Sequence, residues 1–312
     1  MQYFKFTNKN ESRGYTGETY HDGLNVAVDY VNDYFAEVTN LMRVISFENS
    51  RYVRQVSIPD GTVSKVPNEK YMLHADNIVL GIRADLHEPS TWKLIQSLGS
   101  ADAFDFGIRY AAYNNVPKIA ESFHADGIKF NQATYDSVLR NSAINGKAEI
   151  VQYLAAHGVK FSIEAYKYAL SKSAESGSID LLAFVVSSGV DLPHWVYVDA
   201  LKYATRSGHA GYVVELHSFG FQFTQDEYDT ALRYAAIGGK VSVVKYFSDT
   251  SVQFSDEAWN TALFNAVVNG KREFVEYIHN LPIVIGDDTL GESKRVAGTK
   301  GYSTIEKILS EW

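Results

Sequence analysis

The 312-residue sequence contains no cysteine, which removes disulfides, thiolate nucleophiles and cysteine metal ligands from its possible chemistry. A chain built this way suits a reducing compartment. Long apolar runs are missing too. The longest, Leu181 to Val186, is far shorter than a membrane span, so no membrane partner is expected. The opening stretch MQYFKFTNKN has no basic region followed by an apolar one, so no secretory signal is expected. There is no basic excess either. Net charge is −8, with −2 in positions 1–100 and −6 in positions 101–312. Neither part offers the positive footprint that phosphate backbones require, so no nucleic-acid partner is expected. Apolar residues make up 46% and charged residues 21%, enough to bury a core.

What the sequence does contain is a period. Glycine recurs at Gly146, Gly177, Gly208, Gly239, Gly270 and Gly301, always 31 residues apart. One step upstream lies Asn115, of a residue type that tolerates a left-handed backbone. A second column runs Gly127, Gly158, Gly189 and Gly220 before changing to Ser251 and Pro282, and a third runs Phe104, Tyr135, Tyr166, Tyr197, Tyr228 and Trp259. Three columns in phase over this length define a structural repeat.

Each unit has a physical reading. In one of them, Thr224 and Glu227 have the spacing of a capping box, and Tyr228, Ala231, Leu232, Ala235 and Ala236 form an apolar stripe at helical spacing. Small alanines let a neighbouring helix come close, and Gly239 is placed to end the first helix in a left-handed turn. Val241, Val243, Val244 and Phe247 make a second helix, and Phe254 fills the link to the next unit. A unit this short cannot bury both faces alone, so stacking must stabilise it.

Helix, tight turn, helix and short link resemble the ankyrin repeat. TALRYAA (Thr230 to Ala236) is similar in part to the family's Thr-Pro-Leu-His start, with alanine and arginine in place of proline and histidine. GKAEIVQYLAAHG (Gly146 to Gly158) resembles the family's turn and second helix. At 31 residues the unit is shorter than the usual repeat of about 33, which implies clipped β-hairpin fingers. The resemblance covers residues 101–312. It implies a mainly α fold, an ankyrin-like helical solenoid of about six to seven 31-residue repeats, preceded by a small α+β N-terminal domain.

No such register appears before about residue 90. YFKFT (Tyr3 to Thr7) alternates like a strand, and QVSIP (Gln55 to Pro59), an Asp60-Gly61 turn and TVSKV (Thr62 to Val66) read as a hairpin. YMLHADNIVLGI (Tyr71 to Ile82) reads as a further strand region, and Phe35, Val38, Leu41, Met42 and Ile45 fall at helical spacing. HEPSTWKLIQSLG (His87 to Gly99) predicts a helix capped by Ser90 or Thr91 that seals the array. The expected division is an N-terminal module at 1–88 and a solenoid at 89–312 whose capping helix is 89–99. FKFTNKNE, YHDGLNV, VSIPDGTV and HADNIVLG together resemble the module found ahead of ankyrin repeats in proteins of large DNA viruses and some tailed phages. That resemblance implies a viral protein acting in the cytoplasm of an infected cell, and it brings no catalytic residues.

Motifs that carry chemistry are scarce. None of the nine histidines pairs with another at metal-ligand spacing, so no metal or cofactor is expected. GDDTLGES (Gly286 to Ser293) imitates a phosphate loop, but Glu292 stands where lysine belongs. His21 and Asp22 beside Tyr20 could act as acid and base, although HDG is also an ordinary turn. Asp226–Glu227 and Asp287–Asp288 suit helix amino termini. Without a nucleophile, acid and base together, no catalytic residue is assigned and no enzyme is expected.

What is left is surface. In an ankyrin-like unit the positions just past the leucine of the first helix face the concave groove. One such column is Arg109, Arg140, Ser171, Lys202, Arg233 and Phe264, and its neighbour is Tyr110, Asn141, Lys172, Tyr203, Tyr234 and Asn265. Tyrosine and arginine dominate interface energetics, so Tyr110, Arg140, Lys172, Lys202, Tyr203, Arg206, Arg233 and Tyr234 are the candidate binding residues. The competing reading is that these side chains bond neighbouring backbone and fill gaps between repeats. The expected function is protein–protein interaction, with a host factor held in the groove and the N-terminal module capping, dimerising or adding a contact. A structural or assembly protein, or an enzyme housed in the N-terminal module, are the alternatives.

Overall fold

The computed structural model describes residues 2–11, 19–20, 22–26, 34–59, 62–250 and 252–312. They group into two compact units, residues 1–142 with 149–161 and residues 143–148 with 162–312.

The first unit opens with strands β1 (Tyr3–Thr7), β2 (Gly23–Val26), β3 (Ala36–Glu37), β4 (Tyr52–Ser57), β5 (Ser64–Lys65), β6 (Leu73–His74) and β7 (Asn77–Asp85). Five of them form a sheet in the order β2-β7-β4-β1-β3, paired antiparallel throughout, while β5 and β6 make a separate ribbon. The hairpin expected over residues 55–66 does not form. β4 has β1 on one edge and β7 on the other, so both of its backbone edges are taken and Ser64–Lys65 pairs with β6 instead. The expected Asp60-Gly61 turn lies outside the described residues. The strand region expected at 71–82 is divided at Ala75–Asp76 into β6 and β7. The helical spacing from Phe35 to Ile45 yields only a 3-10 helix at Val38–Arg43, which buries Val38, Leu41 and Met42. Backbone pairing captures the start of that segment: Ala36 and Glu37 join β1, and Phe35 bridges Leu73. Phe35, Val56, Ile78 and Leu80 are the heart of the sheet's apolar core.

Five described helices follow: α1 (Pro89–Ser97), α2 (Ala103–Asn114), α3 (Pro117–Ala125), α4 (Gln132–Ile144) and α5 (Glu149–Ala156). Helix α1 packs on α2 and α3, but neither Ser90 nor Thr91 caps it. Glu88 is the cap residue and Pro89, with its φ fixed for helix, opens the first turn. Thr91 Oγ1 instead donates to the Asp85 carbonyl at 2.6 Å and Trp92 Nε1 to the Leu86 carbonyl at 2.7 Å, which ties the helix to the end of β7. Trp92 is fully buried, and at Gly107 any Cβ would come within 2.9 Å of its indole.

The second unit is wholly helical among the described residues: α6 (Ile163–Ser176), α7 (Ile179–Ser187), α8 (His194–Ser207), α9 (Ala210–Ser218), α10 (Gln225–Gly238), α11 (Val241–Asp249), α12 (Asp256–Val268), α13 (Arg272–His279), α14 (Asp287–Lys300) and α15 (Ser303–Ser310). The even-numbered helices pack on one another in succession, far more intimately than the odd-numbered ones do. Alanine explains the asymmetry: Ala169, Ala200, Ala204, Ala231, Ala235, Ala262 and Ala266 are all fully buried between neighbours. The capping box at Thr224 and Glu227 is present, and the rings of Phe247 and Trp259 enclose Phe254 at 5.7 and 5.3 Å.

The turn column adopts the left-handed backbone its period requires. All six of its glycines have positive φ, Gly208 the most extreme at 90°, and Asn115 sits at 53°. A second reason for glycine there was not visible in the column itself. A Cβ on Gly177 would meet the His209 ring at 2.6 Å, on Gly208 the Lys240 stem at 2.8 Å, and on Gly239 the Lys271 stem at 2.9 Å. These three turns are therefore each roofed by the side chain that opens the second helix of the next repeat. Ser178 Oγ donates to the Gly146 carbonyl at 2.8 Å, and His209 Nε2 lies 2.9 Å from the Glu175 carbonyl.

Candidate functional site

In the second unit the candidate residues lie on the even-numbered helices, one or two positions past a fully buried leucine: Lys172 after Leu170, Lys202 and Tyr203 after Leu201, Arg233 and Tyr234 after Leu232. The leucine faces the core, and helical rotation of about 100° per residue turns the next two positions away from it before the buried face returns three to four residues on. All five are half-buried and Arg206, a turn further along α8, is exposed.

The cations are held close to their own helices. Lys172 Nζ donates to Glu175 at 2.6 Å and Lys202 Nζ to Asp199 at 3.0 Å, while Arg233 Nη2 donates to Thr230 Oγ1 at 2.9 Å. The hydrogen bond to Glu175 raises the Lys172 ammonium above its ordinary pKa, against the pull of burial, and Tyr168 and Tyr203 add to the rise. That coupling makes Lys172 on α6 and Tyr203 on α8 electrostatic neighbours. Arg233 keeps one guanidinium donor, Nε, buried without a hydrogen-bond partner. Tyr203 and Tyr234 occupy equivalent positions on adjacent packed helices. In the second unit these cations bond side chains of their own helices, whereas in the first unit the same columns reach backbone: Arg109 Nε donates to the Asp105 carbonyl and Asn141 Nδ2 to the Arg109 carbonyl, both at 3.1 Å.

Tyr110, in the first unit, is elsewhere. It is fully buried, its hydroxyl donates to the Ser50 carbonyl at 2.9 Å, and its ring meets Phe47 and Trp92 at 6.0 and 5.4 Å. Burial raises the phenol well above its ordinary pKa. The face of α2 that the repeat pattern assigns to a groove is covered by residues 47–50, which Asn114 also grips through the Phe47 carbonyl at 3.0 Å. Tyr110 is thus a core residue and not a contact. Arg140, on α4, is half-buried, and Arg109 pairs with Asp105 while stacking over Phe106.

The candidates for other chemistry resolve into structural contacts. Asp22 pairs with Arg54, whose guanidinium is 1% exposed and also bonds Glu11 at 3.1 Å; His21 lies outside the described residues. His217 sits between two phenols, Nδ1 at 2.8 Å from the Tyr246 hydroxyl and Nε2 at 2.9 Å from that of Tyr228, and burial lowers its pKa. Asp229 accepts from Ser255 Oγ at 2.6 Å and Gln225 Nε2 at 2.9 Å, joining consecutive units. Among the described residues no group of three or more His, Asp or Glu is arranged to hold a metal ion, and no helix is long and apolar enough to cross a membrane.

Helical hairpins of one length, stacked through alanine faces and closed by left-handed turns, define a helical-repeat protein. Its repeats are those of a known family. The family model for ankyrin repeats, in three copies, matches residues 200–285. An ankyrin repeat protein of Acanthamoeba polyphaga mimivirus is 31% identical over 140 residues, covering 38% of this chain and 67% of that protein. The chain belongs to the ankyrin-repeat proteins, whose repeats make it a protein–protein interaction module. Among solved structures, the pentatricopeptide repeat protein PPR10 from maize is 14% identical over 71% of this chain, with a TM-score of 0.37. The same protein in complex with an 18-nucleotide RNA gives 17% and 0.31. The chain spans 35% and 36% of those two structures.

Proposed function

We propose that this chain is a non-enzymatic viral binding protein that holds a host protein on the even-helix face of its second unit and so blocks or sequesters it. The observation that carries the reading is the pair Tyr203 and Tyr234, half-buried on adjacent helices and flanked by Lys172, Lys202, Arg206 and Arg233. Rigid aromatic rings beside cations are the composition of an interface hot spot, and guanidinium and ammonium donors suit a partner surface with carboxylates. The mimivirus relative supports a viral setting and hence a host partner in the host cytoplasm. Residues 1–88 serve in this reading as a module ahead of the 89–312 array, capping it and offering a surface for self-association. Affinity capture from host cells with the full tagged chain, read by quantitative mass spectrometry, tests it. A stoichiometric host protein is expected. Recovery of the chain's own copies or virion proteins alone would overturn the host-partner reading in favour of an assembly role.

A further inference from the structure

We propose that the links after α3 and α5 form a carboxylate-binding pocket that grips an acidic segment of the partner protein. The proposal rests on the reading above and supplies the partner's chemistry at a second site, within the first unit. The two links are joined where Gln132 Nε2 donates to the Lys160 carbonyl at 3.0 Å. Between them lies a cleft of about 330 Å³ lined by His124, Lys129, Tyr135, His157 and Lys160, with Ile128 and Val159 as its apolar part. Ligand sites run from about 300 to 1,000 Å³, so this one suits one or two side chains and not a cofactor.

Charge singles the cleft out. Lys129 and Lys160 hold the same position in consecutive repeats, both are exposed, and both line it. No aspartate or glutamate does, in a chain whose net charge is −8. The acids beside it are engaged: Asp126 is paired with Lys93 at 2.6 Å, and buried Asp136 accepts from Gln132 Nε2 at 2.9 Å. The imidazoles stand with ring centroids 4.5 Å apart. His157 lies with Nδ1 2.7 Å from the Tyr153 carbonyl and its ring tilted against the Tyr153 ring at 4.2 Å, so it props the His124 ring in place. Among the described residues the His124 ring meets the Tyr153 and His157 rings and makes no hydrogen bond, which leaves its N–H available to an acceptor.

Two ammonium groups and one imidazole N–H, over an apolar floor, match a glutamate: the methylenes lie on Ile128 and Val159 and the carboxylate meets the donors. Phosphate sites are commonly built from backbone N–H groups. Here the N–H groups of Gly127 and Gly158 are spent on the His124 and Ala155 carbonyls at 2.9 and 3.0 Å, and those of Ile128 and Val159 on the Phe123 and Leu154 carbonyls, so the turns present no nest of free N–H groups. The open, exposed position of the lysines favours a ligand that brings further contact area of its own, which a peptide does and a free ion does not.

The test titrates the purified full chain with a fluorescent hexaglutamate peptide, its hexaglutamine counterpart, and inorganic phosphate as competitor. Saturable binding of the glutamate peptide is expected, at least about tenfold tighter than the glutamine one. Lys129→Gln with Lys160→Gln should weaken it by about tenfold or more without moving the thermal melt. His124→Gln alone should weaken it about threefold, while Lys294→Gln, at an exposed lysine of α14, should bind the peptide as the native chain does. Equal binding by the double-lysine variant, equal binding of both peptides, or displacement by equimolar phosphate overturns the proposal. Equal loss of peptide binding in the Lys294→Gln variant would likewise overturn it, by showing a general charge effect. A host partner that fails to appear while these results hold would sink the host-binding reading and leave the pocket standing.

Discussion

Gly238, the last residue of α10, offers the sharpest test of the packing. In isolation, alanine at a helical position is favoured over glycine by about 0.5–1 kcal/mol. Here a Cβ would lie 2.0 Å from the Arg206 carbonyl oxygen and 2.9 Å from its carbon. The obstacle is backbone, not the yielding end of a side chain. To restore an ordinary contact, α8 and α10 must separate by about 1.5 Å in a close-packed seam, and the alanines Ala204 and Ala235 between them lose contact together. Overpacking of this kind costs about 1–3 kcal/mol, and rigid backbone on both sides puts it at the upper end. Net of the helix gain, Gly238→Ala should destabilise by about 2 kcal/mol. Gly291 is the matched control: it lies within α14 with nothing inside 4 Å of its would-be Cβ, so Gly291→Ala should stabilise by up to about 1 kcal/mol. Urea unfolding followed by far-UV circular dichroism reads both, and hydrogen exchange should place the Gly238→Ala loss in α8, α10 and their neighbours, since each repeat touches only those beside it. Two substitutions of the same sign would refute the close-approach account.

Other consequences follow from the same contacts. Gly208→Val, at φ 90° under the Lys240 stem, should cost more than about 1 kcal/mol in the same assay, and an unchanged urea midpoint would contradict the turn geometry. His217 carries a folded-state pKa lowered by burial between Tyr228 and Tyr246. The unfolded chain therefore binds this proton first, and the group's stabilising effect is complete above the unfolded value of about 6.5 and lost as pH falls through it toward the folded value. His217→Phe should flatten the fall in stability between about pH 7 and 5; a profile identical to the native one would show that His217 does not set it.

The repeat was legible because backbone conformation and small-residue packing each leave a mark of fixed period. A left-handed turn needs glycine or asparagine, and a close helix seam needs alanine, so Gly208 and Ala235 announce their roles on their own. The side chains that roof those turns, Ser178, His209, Lys240, Lys271 and Tyr302, share a column too. Their chemistry varies from unit to unit, since any stem of sufficient length covers a glycine, and so the column escaped notice. The sheet was harder. Strand existence was readable at Tyr3–Thr7, but pairing is a choice among edges, and no local pattern says that β4 is already claimed by β1 and β7. Tyr110 failed for a related reason: its position within the repeat is right, but the first repeat carries residues 47–50 over that face, and periodicity is blind to what the preceding module covers. The cleft at His124 and His157 was missed because the two residues are not equivalent within their repeats, and only the fold brings the rings together.

The claim on which the functional reading turns is that Tyr203 and Tyr234 bind and do not merely pack. The direct measurement is the affinity of the full chain for its captured partner after Tyr203→Ala and Tyr234→Ala together, with the thermal melt recorded on the same sample. Two hot-spot side chains of about 2 kcal/mol each correspond to a loss of several hundredfold or more in affinity, with the melting temperature moving by less than about 2 °C. Undiminished affinity would place the contact elsewhere on the molecule, and a collapse of the melt would show the tyrosines to be part of the core.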